Sequence, residues 1–285
     1  MATERTIGVV GVGEMGSAVG RALAQSGAHV VTYVEGRSDA TRQRALAAGL
    51  TQLPSLDALV VEVELIVAIV PPLAAEPLAR EIAAAMRRAG AGPLYCDANS
   101  IGPTTARSIE GAITGAGGRF VDGAIIGGAG GVPSRVTLYL AGEHASEVAE
   151  LLDPIPTQVL GGAAGEASAF KVLYAGLTKG MSALGMELLG GAERLGLRDL
   201  VMAKYHAEHP SVARFLEGNL PSLPPRAGRR AEEMVELAEM LEGLGLPAHM
   251  ARAAQATLAE VGDRDREEAA PVGDSLDGVL RWWVA

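Results

Sequence analysis

The stretch GVGEMG, Gly11 to Gly16, limits what this chain can fold into more than any other feature. Thr6 to Val10 before it is a short β-branched run of the kind strands use, and a helix pattern follows at once, with Val19, Ala22 and Leu23 set against Arg21 and Gln25. In a G-x-G-x-x-G turn between strand and helix, Gly11 permits the tight turn, the missing side chain at Gly13 lets a pyrophosphate reach the backbone, and Gly16 lets the helix pack close on the strand. The helix start then offers free N–H groups and a positive dipole end to phosphates. Such a turn is also used for purely structural ends. Here the context favours a ligand, because a second strand, His29 to Val34, ends in Glu35, close to the roughly 20-residue offset of a ribose-binding acid. A dinucleotide is the expected cofactor, with Gly11, Gly13, Glu14, Met15 and Gly16 as its contacts in the turn.

Beyond Glu35, Arg37 and Ser38 open a helix whose exposed face carries Arg42 and Arg44. An acid at this strand end suits the ribose 2′-hydroxyl of NAD, whereas Arg and Ser suit the 2′-phosphate of NADP. The two signals conflict. The position of Arg37 and Ser38 argues for ligand contacts and so for NADP, with NAD possible.

The chain then alternates. A short strand at Leu50 to Leu53 precedes Ser55, a helix cap. LIVAIVPP is a continuous apolar run, as in a parallel strand buried on both faces, and it ends at Pro71 and Pro72, at the carboxyl edge where such sheets bind ligands. An Ala-rich helix from about Ala74 to Arg88 leads to a strand, Pro93 to Asp97, and to the polar turn DANSIGP. Asn99 and Ser100 there stand where side chains face a ligand, unless Ser100 or Thr104 simply caps the next helix. Two strands, Phe120 to Ile126 and Val136 to Ala141, flank a loop rich in glycine, which is either a floppy linker or, as its place beside the nicotinamide edge favours, a surface on which Gly127 and Gly128 offer backbone N–H groups to a small anion. After Pro154 nearly everything reads helical. The expected architecture is an α/β domain with a mostly parallel doubly wound sheet, residues 1–161, followed by an all-α domain, residues 162–285.

At 285 residues the chain has room for two cores. Its net charge of −10 leaves no basic footprint, so nucleic acid and anionic membranes are not expected partners. The single cysteine, Cys96, excludes a disulfide framework and a cysteine metal site, no metal is expected, and a reducing, cytoplasmic setting fits. MATERT enters a strand with no signal-type apolar region, and no run approaches the roughly 18 apolar residues of a membrane span.

The first helix of the second domain, Glu166 to about Leu195, is apolar nearly all round, which argues burial between domains or subunits and a homodimer. Adjacent Trp282 and Trp283 need a core or a partner chain to dock on. Lys171 and Lys179 are the lysines of that helix, and a charged amine on a packed face must be paired, set in a cleft or shifted in pKa. At about 100° per residue, Thr178 lies within about 20° of Lys171 on the wheel while Lys179 is turned by about 80°. Lys171 and Thr178 therefore either line a cleft together, or Lys171 reaches solvent past the helix start. Arg226, Arg229 and Arg230 are open to an anionic group or form a solvated helix start.

GVGEMG, the VPP strand end, DANSIGP, FVDGAIIGG and GEASAFKVLYAGLTKG follow one another in the order and spacing of the β-hydroxyacid dehydrogenases. The whole chain resembles that 6-phosphogluconate dehydrogenase-like superfamily. EGRS with ATRQRA, K-x-L-Y-A-G-x-T-K-G and RRAEEM look like a less characterised branch with its own C-terminal domain. The resemblance implies an N-terminal Rossmann domain, an all-α domain used in dimerisation, hydride exchange with a nicotinamide, and Lys171 as general acid/base. Two positions depart from it: Ile126 stands where the family's D-A-P-V-S-G-G segment has serine, and Ala175 where an asparagine follows the lysine.

These readings converge on an NADP-dependent oxidoreductase for a small hydroxy acid, keto acid or related carbonyl, Lys171 exchanging the proton while Thr178 and Asn99 orient the carbonyl. Ser100, Gly127, Gly128, Lys171 and Lys179 make up the substrate contacts. Imine reduction is the alternative enzyme, and a cofactor-binding sensor without catalysis the alternative class.

Overall fold

The computed structural model describes residues 5–271 and 275–285; the first residues of MATERT, 1–4, lie outside them. The chain divides into two compact units between Lys171 and Val172. The first opens with β1 (Thr6–Val10), α1 (Glu14–Gln25), β2 (His29–Thr32), α2 (Asp39–Ala47), β3 (Thr51–Gln52), α3 (Leu56–Glu62), β4 (Leu65–Ala68) and α4 (Pro72–Ala89). It continues with β5 (Leu94–Asp97), α5 (Pro103–Thr114), β6 (Arg119–Ile126), β7 (Thr137–Ala141), α6 (Ala145–Leu151) and β8 (Thr157–Val159), after which α7 (Glu166–Arg194) begins.

The sheet runs β3-β2-β1-β4-β5-β6-β7-β8. Every pairing is parallel except β6 with β7. Strand residues alternate between two cores, as a strand buried on both faces must. Ile7, Val9, Leu65 and Val67 pack with Val19, Leu23, Ala45 and Val148 from α1, α2 and α6. On the opposite face Val10, Ile66, Ala68 and Tyr95 meet Leu59, Ile82, Met86 and Ile109 from α3, α4 and α5. Because β1 sits between β2 and β4, successive crossovers leave it to opposite sides, and a crevice opens at its carboxyl end.

The second strand is shorter than the His29 to Val34 run implies. Only Val31 and Thr32 find partners on β3, so pairing stops and the chain leaves the sheet. Glu35 thus falls in a turn, closed by the Arg37 N–H donating to the Val34 carbonyl at 3.1 Å with Gly36 at φ +70°. Likewise α5 starts on Pro103 after Gly102, not on a Ser100 or Thr104 cap.

The second unit holds the rest of α7 with α8 (Arg198–Glu208), α9 (Pro210–Asn219), α10 (Pro224–Gly243), α11 (His249–Glu267) and α12 (Leu276–Val284). Apolar residues of α7, α10 and α11, among them Leu177, Met181, Met234 and Leu237, line a cavity of about 390 Å³. Trp282 is buried in its own unit: its indole N–H donates to the Glu268 carbonyl at 2.9 Å, and the Arg264 guanidinium lies 5.4 Å from its ring centre. Among the described residues no helix is long and apolar enough to cross a membrane.

The start of α7 is tied to β6 by one buried carboxylate. Asp122 accepts from the N–H groups of Gly165 (2.8 Å) and Ser168 (3.0 Å) and from the Ser168 hydroxyl (2.5 Å). Removing a partner from a buried donor costs about 1–3 kcal/mol. Asp122→Ala should therefore lower unfolding free energy by at least about 2 kcal/mol in urea titrations, while a neighbouring surface change such as Glu143→Ala leaves it nearly unchanged.

Candidate functional site

The glycine turn shows why each glycine stands where it does. Gly11 has φ +97°, and a Cβ there would sit 2.2 Å from the Ile69 carbonyl oxygen. One at Gly16 would sit 2.1 Å from the Gly11 carbonyl oxygen, so α1 could not approach the strand. A Cβ at Gly13 would instead meet nothing within 4 Å. It faces an open cavity of about 220 Å³ lined by Gly11, Gly13, Val34, Arg37, Val70 and Pro71. Gly13 also caps α1 and has no side chain to occupy the first-turn N–H groups. A phosphate-bearing dinucleotide fits this cradle: open backbone, a helix N-terminus and one guanidinium converge on it.

Arg37 lines the cavity, with Tyr33 and Thr41 beside it, and Glu35 does not. Glu14 and Glu35 are exposed and Met15 half-buried. Ser38 is occupied locally: its Oγ caps α2 by accepting from the Thr41 N–H at 3.3 Å. Arg44, read from the sequence as an exposed charge, is half-buried and donates to the Val12 carbonyl at 3.0 Å, binding α2 to the glycine turn. Spacing from the turn gives no hint of that contact, because α2 folds back across sequence.

A second group of polar residues occupies the carboxyl ends of β4, β5 and β6. Asn99 is buried; its side-chain oxygen accepts from the Val70 N–H at 2.6 Å, and its NH2 donates to Asp97 Oδ2 at 2.8 Å. The Asn99 carbonyl accepts from Lys171 Nζ at 3.0 Å. Lys171 is therefore drawn to the sheet edge rather than past the helix start into solvent, and two hydrogen bonds separate it from the cavity wall at Val70. Ser100 follows in a half-buried bend. Gly127 (φ +129°) and Gly128 begin the loop after β6 and are exposed, while the Gly131 N–H is taken by the Gly128 carbonyl at 2.8 Å.

The two remaining candidates lie in the helical unit. Thr178 is exposed, and its hydroxyl donates to the Ala175 carbonyl of its own helix at 3.0 Å. Lys179 is buried and forms an ion pair with Glu233, itself buried and also 3.7 Å from Arg229. Burial pulls the Lys179 ammonium below its ordinary range, and the Glu233 carboxylate opposes that. Among the described residues no three His, Cys, Asp or Glu side chains converge as a metal site.

The sequence reading passed over Asp97 and Asp122, although a carboxylate inside an apolar strand run is itself a signal. Desolvation pushes Asp97 up to about 7, reinforced by Asp122, while hydrogen bonds from Asn99 and the Lys171 charge pull the other way. Asp122 is also raised by burial, against its bonds from Ser168 and Gly165.

Residues 6–174 match the family model described as the NAD binding domain of 6-phosphogluconate dehydrogenase, and residues 192–261 match a domain of unknown function, DUF1932. The chain belongs to this 6-phosphogluconate dehydrogenase-like family, and it is an NAD(P)-dependent dehydrogenase or reductase. A solved conserved protein of unknown function, reported as structurally similar to 3-hydroxyacid dehydrogenases, is 31% identical over 90% of this chain and 97% of that one, with a TM-score of 0.68. A conserved hypothetical protein of Sinorhizobium meliloti is 27% identical over 99% and 97% of the two chains, TM-score 0.71. The fold is also that of Mycobacterium tuberculosis 3-hydroxyisobutyrate dehydrogenase, solved with L-serine: 18% identity, 99% and 100% coverage, TM-score 0.74.

Between about pH 4 and 7 folded Asp97 keeps a proton that the unfolded chain has released, so its contribution to stability is present at low pH and lost as pH rises through 7. Asp97→Asn removes that term. Urea midpoints at pH 5 and pH 8 should differ less favourably toward low pH in the variant than in the wild type.

Proposed function

We propose that this chain is an NADP-dependent oxidoreductase acting on a small hydroxy acid, keto acid or related carbonyl, with Lys171 as general acid/base. One observation carries the reading: the Lys171 ammonium is hydrogen-bonded to the Asn99 carbonyl at 3.0 Å, and Asn99 in turn holds Val70 in the wall of the dinucleotide cradle. Bound nicotinamide would supply or accept the hydride. The chain's own part is the proton, which Lys171 Nζ gives to the carbonyl oxygen in reduction and takes from the hydroxyl in oxidation. Asn99 holds the ammonium in place, and Thr178, Ser100 and the N–H groups of Gly127 and Gly128 orient the substrate where the family uses side chains that Ile126 and Ala175 lack. Lys179, engaged by Glu233, takes no proton-transfer role in this reading.

Preference for NADP is supported by Arg37 in the cavity wall and Glu35 outside it. A homodimer is supported by the apolar side chains left exposed on the helical unit, Leu177, Leu184, Leu188, Leu200 and Met250 among them, which a second copy would cover. A reducing, cytoplasmic setting suits the free, buried Cys96.

Lys171→Ala should cut kcat by about 10² to 10⁴ while NADPH affinity stays nearly unchanged. Full turnover in that variant would refute the assignment. In cofactor titrations Arg37→Ala should weaken NADPH roughly 10- to 100-fold, the loss of one charged hydrogen bond, and leave NADH alone. Tighter NADH binding by the wild type would reverse the cofactor preference.

A further inference from the structure

Asp97 closes β5, and its register partner on β6 is Asp122, so two buried carboxyl groups stand abreast at one edge of the sheet. Both oxygens of Asp97 are directed at a single residue. Oδ1 accepts from the Asn99 N–H at 3.1 Å, and Oδ2 from the Asn99 side-chain NH2 at 2.8 Å. That pair of bonds decides two things about Asn99. It fixes which way the amide faces, leaving its oxygen for the Val70 N–H, and it anchors the Asn99 N–H and side chain, on the residue whose own carbonyl accepts from Lys171 Nζ. Asn99 contributes no charge of its own. Asp97 behind it carries a charge that the ammonium attracts.

We propose that Asp97 is a positioning residue for proton exchange: through Asn99 it holds the Lys171 ammonium at the sheet edge and couples the protonation of that lysine to its own. The inference rests on the reading of Lys171 as the proton-exchanging group. An ionised Asp97 accepts both Asn99 donors and favours a charged Lys171. A protonated Asp97 is neutral, and its hydroxyl oxygen accepts more weakly, so the pair of bonds to Asn99 slackens, Asn99 is held less firmly, and the attraction between Asp97 and the Lys171 ammonium is lost. The groups facing Asp97 are Asp122 from β6 and Lys171 from α7, with Tyr95 and Cys96 on its own strand. Burial raises the Tyr95 hydroxyl and the Cys96 thiol, so both stay neutral in this range and leave Asp97, Asp122 and Lys171 as the coupled set.

The chain has only three lysines, Lys171, Lys179 and Lys204, which makes a direct test practical. Protein labelled with ¹³C at lysine Cε and saturated with NADP gives three signals, the Lys171 signal being assigned by its loss in Lys171→Arg. In the wild type that signal should show an inflection near pH 7. In Asp97→Asn the inflection should vanish, and the lysine-dependent limb of the kcat profile should move to lower pH with KM for NADPH unchanged. A wild-type Lys171 signal that passes from pH 6 to 8 without inflection overturns the proposal, and that measurement stands even where Asp97→Asn does not fold. An unmoved limb in a folded Asp97→Asn protein overturns it as well. The parent reading fails separately: it falls if Lys171→Ala retains turnover, whatever the NMR titration shows.

Discussion

Two carboxylates buried side by side at the carboxyl edge of a sheet are costly, and the way the chain offsets that cost builds the site. Asp122 is met by the start of α7, where the N–H groups of Gly165 and Ser168 and the Ser168 hydroxyl converge on it, and the positive end of the helix adds to their effect. Asp97 takes its hydrogen bonds from Asn99. The two solutions meet at Lys171. Ser168 and Lys171 are three residues apart and share a helix face, so the contact that anchors α7 to β6 also turns the lysine toward the same edge. Fold and site here depend on the same interaction.

The cofactor cradle follows from close approach rather than from charge. Gly11 and Gly16 leave room for backbone against backbone, and that lets α1 start where its N–H groups face the crevice beside β1. Arg44 then ties α2 to Val12, so the segment carrying Arg37 is fixed to the turn by a bond outside the fingerprint. The Asn99 side chain joins this region to the lysine, because its oxygen holds Val70 while its carbonyl holds the ammonium.

Much of this was legible from pattern. Strand runs buried on both faces, the glycine turn and the helical second half all announce themselves through local periodicity, and local periodicity is what burial on a sheet or helix imposes. Glu35 was misplaced because Tyr33 and Val34 look like strand residues; what ends β2 is the short reach of β3, a property of a neighbour and not of the run itself. Ser38 sits beside Arg37 and reads as a ligand contact, yet capping α2 uses its hydroxyl first. The partner of Lys179 lies on α10, far along the chain, and nothing local to α7 reveals it. Asp97 and Asp122 were visible as letters, but their meaning required knowing that the strands carrying them are adjacent and in register.

The contrast between the two lysines of α7 bears on how such a site works. Lys179 faces a carboxylate at direct contact inside the helical unit, and a proton moved from it would take the direct partner from buried Glu233 and leave it the more distant Arg229. Lys171 faces a neutral carbonyl, and its carboxylate stands one residue further back. Losing a proton there weakens the hydrogen bond to that carbonyl and the attraction to Asp97. In the proposed reading the sheet-edge lysine is the one that gives up and regains a proton in each turnover, because its ammonium is held at the edge of the cofactor cradle by a backbone carbonyl, whereas Lys179 is committed to Glu233 within the helical unit.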